Sequence, residues 1–137
     1  MAAQAADTVS FASDVFVEKF VTVAGGRTSR ILARADRLNP GDSVIFVVNW
    51  TARRGNDFTV TNPLPRAIAF QRSADGSEEV SVDGGRTWGR VADLRLRDRD
   101  NSLRSATPED VTHLRWRVPG DVALRGSGQL TYRGVVR

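Results

Sequence analysis

The sequence predicts an all-β protein, an antiparallel β-sandwich of about eight or nine short strands with at most one short helical turn. Three observations lead to this prediction. Apolar and polar residues alternate with a period of two along much of the 137-residue chain, turn residues recur about every ten residues, and no segment has the pattern of a crossover helix. At this length we expect one folded domain.

The first two predicted strands lie in the N-terminal half of the chain. β-branched and aromatic residues fill 14–23, with valines on one parity, and a Gly-Gly turn at 24–27 ends this strand. The segment 43–50, SVIFVVNW, is apolar on both faces and follows turn residues at 39–42. Its composition predicts a central strand of the sandwich.

The remaining predicted strands are shorter. Pro63 and Pro65 cannot donate to a ladder, so they mark an edge or a strand exit. A threonine, a proline and two acids at 107–110 favour about one helical turn. The predicted segments are 58–61, 68–71, 79–82, 88–91, 113–118 and 129–136.

The most specific local motif is SVDGGRTW at 81–88. It is similar to the Asp-box of sialidases and related propellers, whose pattern is SxDxGxxW. The similarity implies a tight hairpin that begins at Ser81, in which Asp83 accepts backbone N–H groups. It also implies that Gly85 adopts a positive φ and that Trp88 packs back over the turn. A sialidase needs several such boxes on a far longer propeller, so a single box predicts a structural hairpin.

Composition limits the classes of partner and site. The 20 basic residues exceed the 16 acidic ones by four, and the arginines are spread among aspartates instead of clustering with aromatics, so we expect no nucleic-acid partner. The chain has no cysteine and one histidine, and we predict no metal and no cofactor. No run of 18 apolar residues is present, so we expect no membrane span.

No catalytic constellation is predicted either. His113 shares its parity with Arg115 and Arg117, the expected solvent face, which argues against a serine–histidine–aspartate triad built on it. The carboxylates at 78–79 and 98–100 stand beside arginines, so salt-bridged surface is favoured over a glycosidase pair or a calcium site. The sequence therefore predicts a protein that is not an enzyme.

A longer resemblance covers the chain from residue 14 onward. The strand 14–23, the turn LNPGD at 38–42, the strand SVIFVVNW and, above all, VTNPLPRAIAF at 60–70 look like the domain-of-unknown-function repeat of bacterial and archaeal surface proteins. That family has an apolar strand, an Asn- and Gly-bearing loop, and a strand that runs into Asp/Asn-x-x-Pro. The resemblance implies an immunoglobulin-like sandwich, an extracellular setting and no catalysis.

Residues 1–13 are predicted to be an extension that precedes the domain at 14–137. An Ala-Gln-Ala sequence near the start has the form that signal peptidase reads, so we expect a secreted or cell-surface protein whose signal peptide has been removed. The run at 7–13 alternates apolar and polar residues, as a strand that docks on an open sheet edge would. Val9 and Phe11 would anchor this strand in a neighbouring copy, with pairing inside its own sandwich as the alternative.

The functional prediction is a non-enzymatic structural module, a pilus-like filament or sheath subunit that assembles with copies of itself by N-terminal strand addition. The alternative is a monomeric extracellular module that binds acidic glycans through an arginine-rich sheet face, because guanidinium groups suit carboxylate, phosphate and sulfate. Pairing of these arginines with nearby aspartates is the favoured interpretation of that face. Its candidate residues are Arg95, Arg97, Arg115, Arg117 and Arg133.

Overall fold

The computed structural model describes residues 9–137, which form ten strands, one short helix and two 3-10 turns. The strands are β1 (Val9–Thr22), β2 (Thr28–Arg34), β3 (Ser43–Ala52), β4 (Phe58–Pro63), β5 (Ile68–Ser73), β6 (Glu79–Ser81), β7 (Arg95–Arg97), β8 (Leu103–Ser105), β9 (His113–Val118) and β10 (Ser127–Val136). The helix is α1 (Gly120–Ala123), and the 3-10 turns are Val91–Asp93 and Pro108–Asp110. The predicted all-β class is confirmed.

The strands form three antiparallel sheets. The large sheet has the order β2-β1-β3-β10-β5, the small sheet has the order β4-β9-β6, and β7 pairs with β8 in a separate ribbon. The large and small sheets pack face to face. The contact between Trp116 on β9 and Tyr132 on β10 joins them, with the two ring centroids 5.4 Å apart. This arrangement is the predicted sandwich.

Alternate residues of the two facing sheets build the core. The alternation predicted for β9 is observed, since Leu114, Trp116 and Val118 are buried while Arg117 is exposed. The central position predicted for the SVIFVVNW strand is also observed, because β3 lies between β1 and β10. The core residues of β3 are Val44, Phe46, Val48 and Trp50.

The strand β1 is 14 residues long and has two successive partners. Its first part, up to Glu18, pairs with β3, and its last part, from Phe16 onward, pairs with β2. Because β3 begins at Ser43, opposite Glu18, the β1–β2 hairpin continues past the end of β3. We call residues 18–32 of this hairpin the arm.

The structure departs from the sequence prediction in several places, and the strands β2, β7 and β8 are not among the predicted segments. The strand predicted at 14–23 is observed as Val9–Thr22, so β1 runs without a break across the predicted boundary between an extension and a domain. The part of that extension at 1–8 lies outside the described residues. At 88–91 the predicted strand is wrong: a single bridge joins Gly89 to Val80, because the chain then turns into the 3-10 turn that starts at Val91.

Candidate functional site

The arm carries a concentration of exposed apolar side chains. Phe20 and Leu32 are 65% and 47% exposed on one face of the hairpin, where Arg30 also lies. The other face exposes further apolar side chains, and none of them belongs to the core between the two sheets. Five of the nine large hydrophobic residues that are exposed within 9–137 lie on the arm, namely Phe20, Val21, Val23, Ile31 and Leu32. Exposed apolar groups that cluster in this way are typical of interaction surfaces.

An ion-pair network fixes the base of the arm to the large sheet. Arg30 on β2 donates from Nε to Oε2 of Glu18, and Arg133 on β10 donates to both oxygens of the same carboxylate at 2.9 and 3.2 Å. Hydrogen bonds from Arg133 and Arg30 hold the pKa of Glu18 at about 2, well below its usual 4.5. The Glu18 side chain is 8% exposed, so this carboxylate joins β1, β2 and β10 at a desolvated position.

The outer edge of β2 is open along its length in the part of the chain that the structure describes. The N–H of Val23 donates to the carbonyl of Arg27 at 2.8 Å, and that of Ala35 donates to the carbonyl of Val15 at 3.2 Å. Both of these bonds join odd-numbered residues. Because hydrogen-bonded and non-hydrogen-bonded pairs alternate along an antiparallel ladder, the odd-numbered residues of β2 bond to β1. The even-numbered residues turn their backbone N–H and C=O groups outward, away from β1. The opposite edge strand, β5, packs against the 3-10 turn Pro108–Asp110.

Val9 and Phe11, the residues predicted to form a donated strand, pair here with β3 of their own chain. Val9 lies opposite Ala52 and Phe11 lies opposite Trp50. The Phe11 ring is 50% exposed and makes an edge-to-face contact with Phe58 at 6.3 Å between ring centroids. The structure thus has the in-chain pairing that the sequence left as the alternative, and insertion into a neighbouring copy stays a prediction.

The five candidate arginines do not lie on one sheet face. They are divided among the ribbon (Arg95, Arg97), the small sheet (Arg115, Arg117) and the large sheet (Arg133). The expectation of a shared face is wrong, because parity along a strand does not say which sheet the strand joins. Two of the five, Arg115 and Arg133, are already paired with carboxylates.

Arg115 links the small sheet to the Asp-box-like hairpin. Its Nη2 donates to Oε1 of Glu79 at 2.9 Å, and its guanidinium carbon lies 4.4 Å from the ring centroid of Trp88. His113, two residues away, is half-buried, and its Nδ1 lies 3.0 Å from the hydroxyl of Thr112. These contacts occupy the outer face of β9 with packing and hydrogen bonds.

Asp83 is the centre of the hairpin, as the Asp-box similarity implies. Its Oδ1 accepts the N–H groups of Arg86 and Thr87 at 3.1 and 3.0 Å and the hydroxyl of Ser81 at 2.8 Å. These hydrogen bonds, with that of the Thr87 hydroxyl, hold the pKa of Asp83 far below its usual value. A carboxylate surrounded by donors in this way is a structural group.

The other two residues of the motif close the same turn. Gly85 has φ of +94°, which a residue with a side chain adopts only with strain. The indole Nε1 of Trp88 donates to the carbonyl of Gly85 at 3.1 Å. The four motif residues therefore hold a rigid loop against β9.

Several grooves open on the surface of the described residues, two of them with volumes of about 450 Å³ or more. One, of about 990 Å³, runs along β5 and includes Arg72, Glu109 and Arg137 in its wall. The other, of about 450 Å³, opens beside Trp50 and Trp116. Between residues 9 and 137, no three potential ligands are grouped so that they could hold a metal ion. No helix in that range is long and apolar enough to cross a membrane.

No family model, curated protein or solved structure matches this chain. The likeness to the surface-protein repeat family stays a prediction that rests on the motifs at 14–23, 38–42 and 60–70.

Proposed function

We propose that this chain is a structural module, secreted or displayed at a cell surface, that associates with copies of itself through the arm. The observation that carries the proposal is the cluster of exposed apolar side chains on a hairpin that extends beyond its own sheet. The Glu18 ion pairs at its base hold the hairpin in place, so the surface is ordered before any partner arrives. A pre-ordered apolar surface binds at a lower entropic cost than a loose one.

The energetics favour contact between two arms. The five apolar residues of the arm are between 38% and 65% exposed, so about half of each side chain remains to be buried. At about 1.5–3 kcal/mol for a fully buried side chain, one arm contributes about 4–7 kcal/mol. Association costs about 4–15 kcal/mol. One arm against a neutral surface barely offsets that cost, whereas two arms that bury each other contribute twice as much.

The two contacts predicted from sequence have less support. Val9–Ser13 fill the position beside β3 in their own sheet, so a strand donated from a neighbour would first have to displace them. Binding of acidic glycans would depend on arginines that lie on three sheets, of which Arg115 and Arg133 hold carboxylates of the same chain. The arm is free of both difficulties.

The test compares two matched double variants by sedimentation velocity over a wide range of protein concentration. Phe20→Ser with Leu32→Ser removes apolar groups from the arm. Leu103→Ser with Leu124→Ser removes side chains that are 57% and 73% exposed elsewhere. We expect the wild type and the second variant to associate as concentration rises and the arm variant to stay monomeric. A wild type that is monomeric throughout, or an arm variant that associates equally well, would refute the proposal.

A further inference from the structure

We infer that two copies of this chain pair their β2 strands antiparallel, about a two-fold axis that passes beside Ile31, and so join two five-stranded sheets into one of ten strands. The inference rests on the proposed function, because it specifies the strand through which the arms associate: the ladder joins the two β2 strands and brings Ile31 and Leu32, the exposed apolar residues of β2, to the contact. It rests on three properties of β2, which are its open backbone groups, its charge pattern and the exposure of Ile31.

The backbone of β2 is suited to such a ladder. Its even-numbered residues, which include Arg30 and Leu32, turn their N–H and C=O groups away from β1, as the alternation set by the Val23–Arg27 hydrogen bond requires. In the proposed pair, Arg30 of each copy lies opposite Leu32 of the other. Each of these two Arg30–Leu32 pairs forms two backbone hydrogen bonds between the copies, so four hydrogen bonds surround the axis.

Charge selects this register over its neighbours. A two-fold axis perpendicular to the sheet keeps each face of the hairpin on the same side in both copies. Residues directly opposite each other must then have the same parity, so the axis passes beside a residue and not between two residues. With the axis at Arg30, the two Arg30 side chains oppose each other. With the axis at Leu32, Arg30 opposes Arg34 twice. With the axis at Ile31, Arg30 faces Leu32 and Arg34 faces Thr28, so no like charges are directly opposite, and all seven residues of β2 overlap.

The side chains around the axis also fit. Ile31 is 42% exposed and its backbone bonds to β1, so the two Ile31 residues form a non-hydrogen-bonded pair, the closer kind of cross-strand neighbour. On the face that carries Ile31, Ser29 of each copy lies opposite Ala33 of the other copy. These small residues leave room for the two isoleucines. The contact uses one patch on both copies and therefore closes as a dimer. A filament would need a second contact on another surface.

The test is a cysteine scan of β2, which is clean because the chain has no cysteine of its own. Ile31→Cys should form an intermolecular disulfide on mild oxidation, since paired Cα atoms at a non-hydrogen-bonded position are about 4.5 Å apart, within disulfide range. Ser29→Cys alone and Ala33→Cys alone should not cross-link, because equivalent residues would be about 13 Å apart along the strands. The double variant Ser29→Cys with Ala33→Cys should cross-link between chains.

Leu103→Cys, an exposed position outside the arm, gives the background of random collision. Sedimentation of each reduced variant shows whether it still associates. Cross-linking above background by Ile31→Cys and by the double variant alone supports the inference. Preferential cross-linking of Arg30→Cys or Leu32→Cys would show another register and overturn it. An associating protein in which no β2 variant cross-links above background also overturns it but leaves the proposed function standing, whereas a strictly monomeric wild type refutes both.

Discussion

Phe11→Ala and Phe20→Ala remove the same side chain from two positions on β1 and should have opposite effects. Phe11 makes an edge-to-face contact with Phe58, which packs against the core, at 6.3 Å between ring centroids. Phe20 is 65% exposed on the arm. We expect Phe11→Ala to destabilise the monomer with little effect on association, and Phe20→Ala to weaken association with little effect on the stability of the monomer.

The size of the first effect follows from the burial of Phe11. Its side chain is half exposed, so it loses about half of the 1.5–3 kcal/mol that full burial supplies, or about 1 kcal/mol. The edge-to-face contact with Phe58 adds about 0.5–1.5 kcal/mol. The free energy of unfolding should therefore fall by about 1.5–2.5 kcal/mol, which lowers Tm by roughly 5–9 °C in a chain of this size. Phe20→Ala should change Tm by less than about 2 °C.

Thermal unfolding at a concentration where the wild type is monomeric measures these shifts, and sedimentation of the same samples at higher concentration measures association. If Phe11→Ala left Tm unchanged and abolished association, the in-chain pairing of Val9–Ser13 would be wrong. The donated N-terminal strand would then be the better account of assembly.

Three further predictions concern the hairpin turn, the base of the arm and the dimer register. Gly85→Ala should lower the free energy of unfolding by about 1–2 kcal/mol because of the φ of +94° at this position. The control Gly89→Ala should leave the free energy of unfolding nearly unchanged, because an added Cβ there meets only Leu94 at 3.5 Å. Equal Tm values for the two variants would contradict the strained turn. The ion pairs of Glu18 lower its pKa to about 2, so they stabilise the fold above pH 4.5 and lose this effect as pH falls toward 2. The Tm difference between wild type and Glu18→Gln should therefore shrink as pH falls from 4.5 to 2. A Tm difference that stays constant over this range would refute the role of the charge. Leu32→Arg should raise the dissociation constant of the dimer by about two- to thirty-fold, because it sets two pairs of like charges opposite each other, and sedimentation equilibrium would refute the register if this constant did not change.

Much of the sandwich could be predicted from the sequence, because its signals are local. The alternation at 113–118 and the apolar run at 43–50 identify β9 and β3, which are observed nearly as predicted. The hairpin at 81–88 was predictable because the hydrogen bonds that Asp83, Gly85 and Trp88 make within the motif join residues no more than four apart, as in the bonds of Asp83 to Thr87.

The arm could not be predicted in the same way. β2 reads TSRILAR, with Ile31 and Leu32 adjacent and arginines on one parity, so it lacks the alternation that marks a half-buried strand. Its exposure depends on where β3 ends, and Ser43 is 25 residues from Glu18 along the chain. The strand β8, at Leu103–Ser105, was missed because three residues are too few to show a period. The dispersal of the arginines likewise depends on sheet membership, which no local pattern encodes.

Hydrogen exchange of the β2 backbone amides, followed as protein concentration rises, tests most directly whether the arm is the contact between copies. Ile31 already donates to β1 within its own chain, so its amide should exchange slowly at every concentration. The amides of Arg30 and Leu32 point away from β1, and their exchange should slow as the protein associates. Slowing at Arg30 and Leu32 while Ile31 stays constant is the result that this account predicts. Association that leaves these two amides unprotected, or that instead protects amides of β5, the opposite edge strand, would contradict it.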